Sequence, residues 1–274
     1  MKKQAGNTSH RLRVTTIVLV SIVALLVAGF FIAVQKKSGG DVDKFVREVF
    51  VNPTEPDLKV KSLGITLDYY DEQAGKAGDL LFTKENISQY GNPIFLNYAE
   101  VEQANSAQPE KALSPQPTFI VPLGTKVRSL VDGEVVRVTK LYSGDYSVQV
   151  ASSPESDWIY ETEHVINTVV KVGDKVKAGQ VVAEASDYNS HHHPGFALYE
   201  IGILHGGNPP EHVCVFNYLD ESIKKDTFAK LTAFYASWEA YMGDTTLYDE
   251  SKMAIPGCYS LDKISDTNQG SAKN

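Results

Sequence analysis

Histidine is the side chain of this sequence best suited to chemistry, because imidazole binds transition metals and exchanges a proton at about pH 6.5. Six of the seven histidines lie in the C-terminal half, and His191, His192 and His193 are consecutive. Consecutive side chains of an extended strand point to opposite faces, so three in a row do not converge on one ion. Two interpretations stay open: a metal site formed by His191, His193 and His205, and a solvated, pH-sensitive polar loop, which the pattern favours.

His164 stands apart from this cluster and follows Glu161 and Glu163 closely. Such a histidine can transfer a proton in catalysis. A lone histidine beside acidic residues is more often a surface residue in an ion pair, and we predict that arrangement for His164.

The two cysteines, Cys214 and Cys258, do not form a Cys-x-x-Cys pair, which argues against a thiolate zinc site or a thioredoxin-like site. In an oxidising compartment they would form a disulfide that ties a C-terminal helix to the preceding β-strands. Two free thiols are the alternative.

The elements that must position these residues are mostly β-strands. Between Thr118 and Leu204, short β-branched runs are separated by turn residues such as Asp132-Gly133, which predicts a series of strands. In Leu63–Tyr69, apolar residues occupy alternate positions, which predicts another strand. Six apolar residues then recur every three or four positions, which predicts an amphipathic helix from about Glu221 to Met242: Phe228, Leu231, Phe234, Tyr235, Trp238 and Tyr241. We predict a mainly β fold, with an antiparallel β barrel-sandwich core onto which this helix packs; an exposed aromatic platform is the alternative.

The N-terminal region contains an uncharged run of 21 residues, Val14 to Val34. A helix of that length spans roughly 30 Å, the thickness of the hydrocarbon core of a membrane. A cleaved signal peptide is the alternative, but its apolar region would be shorter and would end in a small-x-small site. Basic residues before the run predict a single-pass anchor with a cytoplasmic N-terminus and an extracytoplasmic main domain.

Four segments resemble, in their order and spacing, the lysostaphin-type zinc endopeptidases of bacterial peptidoglycan, with the duplicated hybrid motif: Gly124–Val127, Asp132–Val135, Val170–Gln180 and Tyr199–Ile201. The resemblance covers Ser114 to Leu219. It implies three zinc ligands, one open position for water, and two catalytic histidines.

The positions of that site are largely changed in this chain. The resemblance places the first two metal ligands, a histidine and an aspartate, at Ser114 and Thr118. It places the His-x-His pair, whose second member is the third ligand, at Phe196 and Leu198. The remaining catalytic histidine falls on His164, which matches. We therefore predict a degenerate site without a metal cofactor; zinc is expected only if the ligands are rearranged.

Composition and resemblance together lead to three functional hypotheses. The net charge of -8 and pI of about 5.4 argue against a nucleic-acid partner. The first hypothesis is a membrane-anchored, catalytically degenerate protein that binds peptidoglycan or regulates a cell-wall hydrolase. The alternatives are an active zinc metallopeptidase with rearranged histidine ligands and a membrane-fusion-type adaptor. The adaptor ranks last, because that class carries long helical hairpins that the sequence lacks between Thr118 and Leu204.

The sequence divides into seven predicted segments. They are a cytoplasmic tail (1–13), the anchor (14–34), a linker with a short helix (35–57), a β-containing extension (58–117), the endopeptidase-like β domain (118–219), a C-terminal helical extension (220–262) and a disordered tail (263–274).

Overall fold

The computed structural model describes residues 27, 29–32, 35, 55–84, 93–101, 113–187 and 195–265. It divides into two units, Met1–Glu55 and Pro56–Asn274. The described residues from 27 to 35 are helical, whereas most of the predicted anchor and the short helix predicted in the linker lie outside the described residues. Within the described ranges, no helix combines the length and the apolar character that crossing a bilayer requires.

Short strands are the main regular elements of the second unit. In chain order they are β1 (Lys76–Ala77), β2 (Leu80–Leu81), β3 (Phe95–Leu96), β4 (Thr118–Pro122), β5 (Lys126–Arg128), β6 (Gly133–Lys140), β7 (Tyr146–Ala151), β8 (Trp158–Ile166), β9 (Lys175–Val176), β10 (Val181–Ala185), β11 (Phe196–His205), β12 (Glu211–Val213) and β13 (Ile264–Ser265). Two 3₁₀ turns, Val215–Tyr218 and Glu250–Lys252, flank the helix Glu221–Met242.

The main sheet is antiparallel and follows the order β13-β12-β11-β8-β7-β6-β9. Strand β4 pairs with β11 and with β3, while β10 joins β5 to β8. This confirms the mainly β, antiparallel prediction. The predicted barrel is wrong, because the sheet is open: β13 and β9 end the path instead of pairing with each other.

The C-terminal helix has the predicted bounds, Glu221–Met242. It begins after Asp220, whose side chain accepts a hydrogen bond from the Ser222 N–H, and it ends at Gly243, which has a φ of 73°. Its aromatic stripe faces inward, since Phe234, Tyr235 and Trp238 are fully buried. The stripe is therefore a packing surface and not an exposed platform. A row of aromatic rings connects it to the sheet from Tyr235 through Phe95 and Phe119 to Tyr199, with centroid separations of 6.2, 4.8 and 6.1 Å.

Two other local predictions need correction. Leu63–Tyr69 forms no strand, although Leu63, Ile65 and Leu67 are buried, because Gly64 turns the backbone with a φ of 77°. Residues 263–274 were predicted to be disordered, yet Ile264–Ser265 pairs with β12 at the edge of the sheet. The rest of that tail lies outside the described residues.

Candidate functional site

The candidate site lies on one face of the sheet, around the centre of β11. Alternation places Phe196, Leu198 and Glu200 of this strand on the same face. Glu200 is paired with Thr118 of β4 on one side and with Glu163 of β8 on the other. Three neighbouring strands therefore present their side chains together at this point.

A groove of about 370 Å³ continues along the sheet from this point toward β12. It lies on the same face because Leu204, an alternate residue of β11, lines it. Its walls are mostly polar and combine an arginine with acidic, amide and imidazole groups: Arg137, Gln149, Glu161, Glu163 and His212. Such a groove can accept an extended polar chain.

The positions that the resemblance assigns to the metal ligands and to the first histidine of the His-x-His pair do not fit a catalytic zinc site. Phe196 and Leu198 are 8% and 9% exposed and carry no lone pair that could bind an ion. The Ser114 hydroxyl donates to the carbonyl oxygen of Gln116 at 2.7 Å, and the Thr118 hydroxyl lies 3.2 Å from Oε1 of Glu200. Over the ranges that the structure describes, no three His, Cys, Asp or Glu residues are grouped so that they could hold a metal.

The backbone turns His164 toward this face through a bulge in β8. Val165 pairs with Tyr146 and Thr162 with Val148, so β8 has one more residue than β7 between these pairs. His164 adopts a φ of 56°, which is uncommon for a residue with a side chain. The bulge breaks the alternation of the strand and lets both Glu163 and His164 approach Glu200.

His164 is 5% exposed, so the predicted surface position is wrong. Two carboxylates that the sequence did not suggest as partners, those of Asp145 and Glu200, lie beside its ring. Nδ1 of His164 lies 3.0 Å from Oδ2 of Asp145, which comes from the turn between β6 and β7. Nε2 lies 3.8 Å from Oε2 of Glu200, the separation of an ion pair and longer than a hydrogen bond.

Hydroxyl groups complete this buried network. Ser186, just after β10, donates to Oδ2 of Asp145 at 2.5 Å, and Ser143 also donates to the Asp145 carboxylate. Thr118 connects the network to β4 through Glu200. The imidazole ring therefore lies between two carboxylates that are themselves held in place.

The surroundings favour the charged form of both central groups. Burial opposes a charge on His164, but the hydrogen bond to Asp145 and the charge of Glu200 outweigh it and raise the pKa of His164 above 6.5. Burial likewise acts to raise the pKa of Asp145, yet the hydrogen bonds from His164, Ser143 and Ser186 lower it below 3.8 overall. The raised pKa of His164 and the lowered pKa of Asp145 agree, because both favour an imidazolium beside a carboxylate.

The sequence did not reveal the partners of His164. Asp145 follows Gly144 and looks like an ordinary turn residue, 19 positions before the histidine that it contacts. Glu200 was recognised as part of a motif but not as a partner of His164. One signal could have suggested the Asp145–His164 pair: Asp145 is an isolated aspartate in a turn between two strands, and the next strand along the chain contains the histidine.

The other predicted site residues do not join this cluster in the described part of the chain. His191 and His193 lie outside the described residues. Nδ1 of His205 lies 3.6 Å from Oε2 of Glu211, and its ring stacks on Trp158 with the centroids 4.4 Å apart. Cys214 and Cys258 form the predicted disulfide.

Comparison with known proteins supports the resemblance. Residues 118–203 match the model of peptidase family M23. No curated protein matches the chain.

Similar solved structures include LytU, which is 22% identical over 41% of this chain and 72% of that chain, with a TM-score of 0.33. A mutant of the catalytic domain of the prophage-encoded M23 protein EnpA from Enterococcus faecalis is 20% identical over 44% of this chain and 85% of that chain, with a TM-score of 0.34. A chain in the SpoIIQ–SpoIIIAH pore-forming complex is 16% identical over 61% of this chain and 98% of that chain, with a TM-score of 0.36. The match to the model of peptidase family M23 spans residues 118–203, the strand-rich stretch in which the sequence resembles the lysostaphin-type endopeptidases.

Proposed function

We propose that this chain is a membrane-anchored, extracytoplasmic protein whose M23-type domain binds peptidoglycan without hydrolysing it. The groove would hold a cell-wall peptide or glycan, and the bound domain would localise the chain at the wall or regulate a hydrolase there. The uncharged run from Val14 to Val34 supports the anchor, and the M23 match supports the choice of ligand.

One observation is the main support for the proposed loss of catalysis. Phe196 and Leu198 are buried at the two positions where a hydrolase of this family would need imidazoles. A zinc-activated water needs ligands that fix the metal and leave one coordination position open. The described side chains of this face form no such ligand set, which supports a polar binding groove without a catalytic centre.

The experiment measures metal content, turnover and wall binding on the full chain in detergent. We expect less than one equivalent of zinc, no release of peptides from purified peptidoglycan, and co-sedimentation with it. The matched variant Ser114→His/Thr118→Asp/Leu198→His restores the three ligand types of the family and should take up zinc in an approximately 1:1 ratio.

Groove and surface variants identify where the wall binds. Leu204→Arg narrows the groove and should weaken co-sedimentation, whereas Val172→Arg, at a side chain that is 60% exposed outside the groove, should not. Stoichiometric zinc together with turnover in the unaltered chain would instead establish an active peptidase. Failure to co-sediment would refute binding to peptidoglycan.

A further inference from the structure

Five separate parts of the fold meet in the network around His164. Its own strand is β8, Asp145 comes from the β6–β7 turn, and Glu200 comes from β11. Through these carboxylates the network also reaches Thr118 of β4 and Ser186 after β10. These segments are far apart in sequence, so their contacts are tertiary cross-links.

We propose that protonated His164, held between Asp145 and Glu200, cross-links this end of the sheet as a bound metal ion cross-links its ligand-bearing strands. The M23-type domain is then folded and held together without metal. This inference is independent of the proposed function, because it concerns stability and not the ligand of the groove.

Burial makes the arrangement more than an ordinary surface ion pair. The side chains of His164 and Asp145 are 6% and 5% exposed, so water screens their attraction little. Removing one member of a buried pair leaves the other charge uncompensated, which is strongly destabilising. Two carboxylates around one imidazolium also resemble the charge balance of a cation with anionic ligands.

The carboxylates around the ring act in the same direction. Asp145 and Glu200 approach its two nitrogens, and Glu161 of its own strand adds negative charge. The proton on His164 therefore partly neutralises a concentration of carboxylates. Loss of that proton leaves the carboxylates to repel one another.

The test is a double-mutant cycle by chemical denaturation of the full chain, with and without a chelator. At about pH 6, His164→Gln and Asp145→Asn should each raise the unfolding equilibrium constant by roughly a hundredfold or more. The double variant should lose about as much unfolding free energy as either single variant, because the two side chains stabilise the fold only as a pair. The partly exposed pair His205–Glu211, at the opposite end of the β8–β11 pairing, is the matched control, and His205→Gln should change the unfolding equilibrium constant by less than about fivefold.

The pH dependence of stability is a second test, because the proposal predicts the direction in which the contribution of His164 changes with pH. Because the folded-state pKa of His164 is raised, its stabilising contribution is complete below pH 6.5 and is lost as the pH rises through the folded value. The stability difference between wild type and His164→Gln should therefore narrow at alkaline pH. The lowered pKa of Asp145 preserves the contribution down to pH 3.8, below which it declines as the pH falls through the folded value.

Three outcomes would overturn the proposal. They are additive losses in the double variant, a stability difference that does not change with pH, and a wild type that is destabilised by the chelator. If the variants do not fold, nitrogen NMR of the histidine rings in the unaltered chain decides the matter. An imidazolium signal from His164 above about pH 6.5 is expected, and a neutral ring at about pH 6 would refute the cross-link.

Discussion

At the scale of single residues, two glycines with nearly the same φ have different surroundings. Gly257 and Gly173 have φ values of 90° and 91°. A Cβ at residue 257 would lie 2.3 Å from Cδ2 of Phe216, whereas a Cβ at residue 173 would have no neighbour within 4 Å among the described residues. A side chain at residue 257 would therefore meet both backbone strain and steric overlap with Phe216, whereas a side chain at residue 173 would meet backbone strain alone.

Substituting alanine at the two positions separates backbone strain from steric overlap. Gly173→Ala should cost about 1 kcal/mol of unfolding free energy, the usual cost of a left-handed alanine. Gly257→Ala should cost about 3 kcal/mol, because the ring of Phe216 is buried and has to move. Denaturation of both variants measures the difference, and equal losses would show that Phe216 moves aside at no cost.

Side chains also decide what the sheet face can do. The backbone at Phe196 and Leu198 pairs with β4 in an uninterrupted ladder, as any residues at these positions could. The chemistry of this face therefore depends on the identity of a few side chains and not on the fold.

At the scale of elements, the bulge of β8 and the C-terminal helix have complementary roles. The bulge directs His164 to the polar face of the sheet. On the opposite side, a buried hydrogen bond of 2.7 Å from Tyr235 Oη to Asn97 Oδ1 ties the helix to the segment before β4. This hydrogen bond fixes the helix more specifically than apolar packing would by itself.

Removing that hydroxyl should weaken the attachment of the helix. Tyr235→Phe preserves the ring but leaves Asn97 Oδ1 without this donor, so we expect a loss of about 1–2 kcal/mol in unfolding free energy. Tyr241→Phe on the same helix is the control, because the Tyr241 hydroxyl has no hydrogen-bond partner among the described residues. Thermal or urea denaturation compares the two, and equal effects would contradict a specific role for the hydrogen bond.

At the scale of the whole second unit, the disulfide holds the C-terminal extension against the sheet. Cys214 lies just after β12 and Cys258 after the helix, with 44 residues of sequence separation and a Cα–Cα distance of 6.2 Å. Next to it, the Tyr98 hydroxyl donates to the carbonyl oxygens of His212 and Asp262. The segment before β4 and the segment after the helix therefore meet at one buried point.

Opening the disulfide should lower stability without changing the fold. Closing a loop of this length restricts the unfolded chain by about 4 kcal/mol at most, so Cys214→Ser/Cys258→Ser should cost about 3 kcal/mol. Reduction and alkylation of the wild type should produce a similar loss and a matching mass shift. The control is the double variant, which should be insensitive to the reductant; a wild type that is equally insensitive would contradict a stabilising disulfide.

The sequence by itself determined the features that depend on local pattern. Alternation between Thr118 and Leu204 predicted antiparallel strands, and the spacing of Phe234, Tyr235 and Trp238 predicted the helix, because side-chain periodicity follows directly from backbone geometry. Motif spacing also predicted the resemblance to the lysostaphin-type endopeptidases, and residues 118–203 match the M23 family model. The placement of the family's His-x-His pair at Phe196 and Leu198 stays a prediction.

Only the tertiary structure decided whether the sheet closes and which groups His164 contacts. Both depend on contacts between distant segments, which no local pattern encodes. Asp145 and Glu200 meet the ring because a single extra residue in β8 turns it inward, so a histidine expected at the surface becomes the centre of a buried charge network.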